Sequence, residues 1–325
     1  MTPPWVLTDL RAAVQMVQVR HGWLGLLGSP VGPLPMSAVE RPVFLSRLAE
    51  AFYTKWFTRS GAVGGTSRSA ELPGIVTSVR AAHAASERFA TGWVVTAVGA
   101  RGEVLAAKDG ETARLWPLDY ANLARPGAPA RAGDPLAVTM RKDCLDPTAG
   151  WWVTWGADQA IDVASQVRLY WNCGPDAVGL LVRHVTAFFE DGGLPYSMKC
   201  PSEAALFDRL DPVVLYLSAD VWRRARSGLR AVHGAVAARL RPAVPPLTLR
   251  LGRGASVAED PLDGRSFGQS RADAVAEGTL QALEARVTSA EAAVDWLAGA
   301  LQARGVSPLR PHLRAASRPD DLGSW

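Results

Sequence analysis

Lysine is scarce in this chain, which makes each one informative. Of 35 basic residues only four are lysine, namely Lys55, Lys108, Lys142 and Lys199. Arginine serves wherever a fixed positive charge is enough. What arginine cannot do is release its proton near neutrality, whereas a partly buried lysine can, and then acts as a base or nucleophile. Lys199 lies in a short alternating run, Leu194 to Cys200, with Ser197 on its own face and Tyr196 and Met198 on the other. A lysine held in an apolar strand is a candidate proton acceptor. The competing reading is an edge-strand lysine whose charge discourages aggregation.

Two further stretches carry polar groups in chemically useful patterns. From Gln166 the chain alternates strictly: Val167, Leu169, Trp171 and Cys173 point one way, and Arg168, Tyr170 and Asn172 the other. A guanidinium, a phenol and an amide therefore line one face of a strand. The second stretch, residues 252–271, holds Gly252, Gly254, Gly264, Gly268 and Pro261 and reads as a loop. Its acids Glu259, Asp260 and Asp263 are followed by Arg265, Ser266, Gln269 and Arg271. Two forked cations with a hydroxyl and an amide suit a phosphate. Alternatively, Arg265 and Arg271 pair with Glu259, Asp260 or Asp263 and pin the loop. The run Gly61 to Ser69 is also glycine-rich, but it lacks the lysine and spacing of a phosphate-binding loop and reads as a linker. No nucleophile elbow, zinc-protease motif, kinase set or metal-spaced histidine cluster is present, so no metal or other cofactor is expected.

These groups need elements to hold them. Gly174-Pro175-Asp176 opens a helix whose apolar stripe is Leu180, Leu181, His184, Val185 and Phe188, and Gly192-Gly193 closes it. The polar strand and the Lys199 strand thus flank one helix. Upstream, helices are expected over residues 5–26, 38–58 and 72–88, then a hairpin of 92–98 with 104–108. The Pro-, Gly- and Ala-rich run 124–135 marks a domain boundary. Beyond it come strands over 136–141, 151–155, 213–217 and 245–251, a short helix over 202–210 and a long Arg-rich helix over 220–240. Helices over 270–284 and 289–303 follow. The expected class is α+β, a mixed or largely antiparallel sheet with packed helices, preceded by a mainly helical N-terminal region. Residues 1–125 would form that region with its hairpin, and 135–325 the catalytic domain.

Composition narrows the function classes. At 325 residues and 48% apolar, with net charge +4, the chain can bury a sizeable core and is mildly basic. That suits an anionic substrate, and no basic block is dense enough for nucleic acid. Cys144, Cys173 and Cys200 are odd in number, without paired spacing, and read as reduced thiols. No secretion signal is evident, and no run approaches the roughly eighteen apolar residues of a membrane span. A cytoplasmic protein without membrane contact is expected.

Several segments resemble, in order and spacing, the HopA type III effector-like family. They are RLYWNC (168–173), YSMKC (196–200), PVVLYL (212–217), VAEDPLDGRSFGQSR (257–271) and ARGVSPLRPHL (303–313). The likeness covers roughly residues 135–318, and AFYTKWF (51–57) resembles the family more weakly. Members occur among bacterial effectors and in actinobacterial clusters for ribosomal peptides, where they resemble the lyase of class V lanthipeptide and thioamitide pathways. The resemblance implies elimination of phosphate from phosphoserine or phosphothreonine in a precursor peptide with its leader, giving dehydroalanine or dehydrobutyrine. A separate kinase-like protein would add the phosphate first. The segment is also similar to phosphothreonine lyases, which implies Lys199 as general base, Arg168 as the cation steadying the enolate-like carbonyl and Tyr170 as general acid. Arginine stands where those lyases carry lysine, and tyrosine where they carry histidine. Arg265, Arg271, Arg209 and Lys142 are the candidates to neutralise the departing phosphate, with Asn172, Ser266 and Gln269 as further substrate contacts. The alternative function is a non-catalytic partner that binds the leader peptide or the kinase, which twelve tryptophans and the Arg-rich helix would suit. A host-directed effector is a third reading.

Overall fold

Period-two alternation dominates the middle of the chain, and in the computed structural model those runs become the inner strands of one large sheet. The structure describes all residues except 1, 36, 61–73, 85–87, 141, 147–149, 157–161, 315–316, 319–321 and 324. The glycine-rich run 61–69 and Arg141 therefore lie outside the described residues. Two units divide the chain, one of residues 84–144 and one of 1–83 with 145–325.

The large unit opens with α1 (Pro4–Gln15), which stops well short of the expected residue 26. In its place stand β1 (Val17–Arg20), β2 (Trp23–Leu26) and β3 (Ser29–Pro33), an antiparallel three-stranded sheet. The cause is local. His21-Gly22 and Leu27-Gly28 both adopt positive φ at their two central positions, the backbone of tight hairpin turns that glycine makes accessible. Next come α2 (Glu40–Phe52), which runs into a π-helical turn at Tyr53–Phe57, and α3 (Ile75–Ala82).

In the small unit are β4 (Arg88–Val98), β5 (Val104–Lys108), β6 (Glu111–Leu115), β7 (Tyr120–Asn122) and β8 (Pro135–Met140), in the order β6-β5-β4-β8-β7. The Pro-rich run 124–135, expected as a domain boundary, instead connects β7 to β8 inside this unit. Because β8 pairs with β4 on one side and β7 on the other, the chain after the run cannot leave.

The remaining elements are β9 (Asp143–Asp146), β10 (Trp151–Trp155), β11 (Gln166–Trp171), α4 (Val178–Gly192), β12 (Ser197–Pro201), β13 (Val213–Ser218), α5 (Ala219–Val236), β14 (Leu249–Gly252), β15 (Ala255–Glu259), α6 (Phe267–Glu284) and α7 (Ala290–Ala303). They give a seven-stranded sheet in the order β14-β15-β11-β13-β12-β10-β9, whose described pairings are antiparallel. One strand was expected as loop. Ala255–Glu259 sits between β14 and β11 with all five residues buried. Gly254 makes the turn into it, at φ +60 and so close to the Arg241 carbonyl that a Cβ would not fit.

On one face of this sheet Val167, Leu169, Trp171, Met198, Leu215 and Val257 pack against α4 and α5. Each is fully buried, worth roughly 1.5–3 kcal/mol for a side chain of that size. The opposite face lies under α6 and the N-terminal helices, where Tyr170, Val214 and Ala258 meet Phe267, Ala274 and Val275. Exposed ion pairs of Asp220 with Arg223 and Arg224 decorate α5 and contribute little. No helix among the described residues is long and apolar enough to cross a membrane.

Candidate active site

The register of three neighbouring strands brings the predicted lysine and arginine together. Lys199 of β12 stands opposite Val214 of β13, which stands opposite Tyr170 of β11. One rung along, Ser197 faces Tyr216, and Tyr216 faces Arg168. Side chains two apart share a face, so Lys199, Tyr216, Arg168 and Tyr170 all rise from the same side. Because β12 is flanked by both β13 and β10, Lys199 is on an interior strand and the edge-strand reading has no basis.

Aromatic rings space the cations into a row. The Lys199 ammonium lies 4.4 Å from the Trp151 ring centroid and 5.7 Å from that of Tyr216. The Arg209 guanidinium lies 5.1 Å from Trp151, and that of Arg168 5.4 Å from Tyr216. The sequence of contacts is thus Arg209, Trp151, Lys199, Tyr216, Arg168. Ring faces attract cations by about 0.5–1 kcal/mol each, and more where water is excluded.

The two ends of the row are neutralised and its middle is not. Arg168 Nε donates to Asp260 at 2.7 Å, and its terminal nitrogen bonds the same carboxylate. Arg209 bonds Asp211 through two nitrogens, one at 3.0 Å, and donates to the Tyr53 hydroxyl at 3.3 Å. Burial disfavours both guanidinium charges. The neighbouring Tyr170 and Tyr216 phenols and Asp260 more than offset this at Arg168, and Asp211 does so at Arg209, so both are held above the ordinary range. They are permanent cations. Lys199, half-buried between them, has no carboxylate partner among the described residues.

The other predicted residues are placed differently. Tyr170 is 3% exposed beneath the α6 layer, and burial drives its phenol far above the usual range. Asn172 is buried, donating through Nδ2 to the Ala243 carbonyl at 3.0 Å. Arg271 is 2% exposed, with Nε donating to the Pro311 carbonyl at 2.9 Å and its guanidinium 4.4 Å from the Phe267 ring. Burial pulls it down to about 10, still charged at neutrality. Ser266 and Gln269 close the first turn of α6 as a reciprocal cap, at 3.2 and 3.1 Å. Arg265 pairs with Asp273 rather than with the loop acids, while Asp260 goes to Arg168 and Glu259 to Arg314. Lys142 lies half-buried in the small unit.

Sequence reasoning did not single out Trp151, Tyr216, Asp211 or Tyr53 as site residues. Tyr216 was visible as the polar break in the apolar run PVVLYL, and Asp211 as the acid two residues after Arg209. Among the described residues no three His, Cys, Asp or Glu side chains cluster as a metal site.

The model of the HopA1 effector protein family matches residues 142–313, just over half of the chain and the whole of this row. Two solved structures are similar to part of the chain. The effector protein from Pseudomonas syringae pv. tomato strain DC3000 is 22% identical with a TM-score of 0.42, over 52% of this chain and 65% of that one. The effector protein from Pseudomonas syringae pv. syringae strain 61 is 21% identical with a TM-score of 0.40, over 52% and 66%. This chain therefore spans a little under two thirds of either. No curated protein matches it.

Proposed function

Because the chain belongs to the HopA1 effector protein family, we propose that its row of cations is the site of a lyase. The reaction is elimination of phosphate from phosphoserine or phosphothreonine in a ribosomal precursor peptide that a separate kinase-like protein has phosphorylated. One observation carries the reading. Lys199 is a half-buried amine with no carboxylate partner among the described residues, set between two guanidiniums that each have one.

Each group has a task the geometry suits. The Lys199 amine takes the α-proton, and the electron pair of that C–H bond forms the Cα=Cβ double bond. The Cβ–O bond breaks, and its electrons leave with phosphate. Negative charge gathers on the peptide carbonyl oxygen, whose stabilisation we assign to Arg168, and on the phosphate, which we assign to Arg209 on the other side of Lys199 in the row. The leaving oxygen gains a proton from a phenol. Tyr170 is enclosed beneath α6, so we assign that role to Tyr216, the phenol lying between Lys199 and Arg168. A cation pair fixed by buried carboxylates stays in place during the reaction and needs no reorganisation.

Mass spectrometry of a phosphothreonine peptide incubated with the protein tests this reading. Loss of phosphoric acid is expected with the wild type, and at least about a thousandfold less with Lys199→Arg, which keeps the charge but not the basicity. A peptide that binds without conversion, with leader and kinase present, would instead support a non-catalytic partner in the modification complex. Full activity in Lys199→Arg would remove the base assignment.

A further inference from the structure

A cleft of about 980 Å³ opens in the large unit between β3, α2 and the turn after it, and α6. Its walls include Tyr53, and Tyr53 ties it to the row of cations. The Tyr53 hydroxyl accepts from Arg209, whose guanidinium lies on the same Trp151 ring as Lys199. The cleft therefore begins one hydrogen bond from the Arg209 end of that row.

The charges of its lining are unequal in their partners. Four cations, Arg47, Lys55, Arg265 and Arg304, face three carboxylates, Glu50, Asp273 and Glu277. Asp273 is shared by Arg265 and Arg304, and Glu277 is held by Arg41 from outside the lining. Glu50 accepts from the Thr54 hydroxyl at 3.4 Å. Arg47 and Lys55 are left with no carboxylate partner among the described residues, and Arg47 is exposed. Lys55 is also one of only four lysines in the chain. An open, half-polar cleft of this kind does not suit a small apolar ligand, which prefers enclosure.

We propose that this cleft seats an acidic stretch of the precursor peptide, adjoining the phosphorylated residue presented to Lys199. The inference rests on the lyase reading for the identity of the peptide, and extends it to how the peptide is selected. The origin of the walls agrees with such a role. The α6 wall lies within residues 142–313, whereas β3 and α2 precede them, so the cleft joins the part matched by the family to a part outside the match. Lys55 falls in the AFYTKWF segment that resembles the family, whereas Arg47 and the β3 wall fall outside both that segment and the match, so selectivity for this chain's own peptide can reside there without altering the row that does the chemistry.

The test measures binding by fluorescence anisotropy on the full chain carrying Lys199→Met, so that no peptide is consumed. Three labelled peptides share one phosphothreonine: a short one, and two extended by an acidic stretch on the N-terminal or the C-terminal side. One extended peptide is expected to bind about tenfold tighter than the short one, with the gain fading as salt is raised. The gain should disappear in Arg47→Gln/Lys55→Gln, and in Arg47→Glu, a single exposed change that leaves Lys55 in place. No gain from either extension, or a gain that survives in both variants, overturns the proposal. If the extended peptide binds through Arg47 and Lys55 yet the wild type converts none of the three, the lyase reading falls and the cleft assignment stands.

Discussion

The two faces of the seven-stranded sheet are built from the same strands and do opposite things. Toward α4 and α5, β11 presents Val167, Leu169 and Trp171, all completely buried. Toward α6 it presents Arg168 and Tyr170, neighbours that differ sharply from each other. Tyr170 is sealed under the helix, while Arg168 lies beside Tyr216 at the half-buried end of the face. The first face is closed along its length. The second is closed where Tyr170, Val214 and Ala258 share a buried cluster with Phe267 and Val275 of α6, and carries cations and rings around Tyr216. A sheet buried on one face can be stable enough to hold partly exposed charges on the other in fixed geometry.

The largest expected effect pairs neighbours across that divide. Leu169→Ala removes a fully buried side chain from the closed face and should cost about 2–5 kcal/mol of stability. Arg168→Met leaves Asp260 buried without its cation and should cost a similar 3–5 kcal/mol or so. Urea unfolding would give the two numbers. Elimination assayed where both variants remain folded should fall only for Arg168→Met. Equal losses of turnover would mean that the polar face has no chemistry of its own.

Smaller, and sharper, is the comparison of two phenols on that face. Tyr216→Phe should slow elimination about a hundredfold, the usual worth of a positioned proton donor. Tyr170→Phe should leave it nearly unchanged, because the hydroxyl it removes is enclosed. A peptide with β-chloroalanine in place of phosphoserine separates donor from prop, since chloride leaves without a proton. Tyr216→Phe should convert that peptide as fast as the wild type does. A hundredfold loss on both substrates would make Tyr216 a positioning residue instead.

What could be read from the sequence followed what is encoded locally. The strands around Leu169 and Lys199 were legible because strict alternation has one geometric meaning, and the scarcity of lysine pointed to Lys199 before any contact was known. The turns at His21-Gly22 and Leu27-Gly28 were legible in principle but masked by the apolar spacing of Leu7, Leu10, Val14 and Val17, which suits a helix up to Gln15. Strand β15 was not legible. Its flanking glycines and Pro261 read as a loop, and only pairing with β11 and β14 makes Ala255–Glu259 a strand. The same limit hid the row of rings, because Trp151 meets Lys199 only through the register of β10 on β12. Arg168 finding Asp260 across 92 residues is likewise a property of the fold rather than of any motif.

The closed part of the second face makes the smallest prediction, one of pH. His312 is 6% exposed, its ring 6.0 Å from that of Trp5, and its backbone carbonyl accepts from Glu259 of β15. Burial, with Arg310 and Arg271 nearby, pulls the imidazole down to about 4. The unfolded chain takes up this proton near 6.5, so between about 4 and 6.5 it binds more protons than the folded state and stability rises with pH. Acidifying from pH 7 to 5 should therefore cost roughly 1–2 kcal/mol through this one group. His312→Gln has no such proton to gain, so its urea midpoint should drop less over the same range. Parallel pH dependences in the two proteins would show that the imidazole is hydrated in the fold, and that this part of the face is as open as the part that holds Lys199.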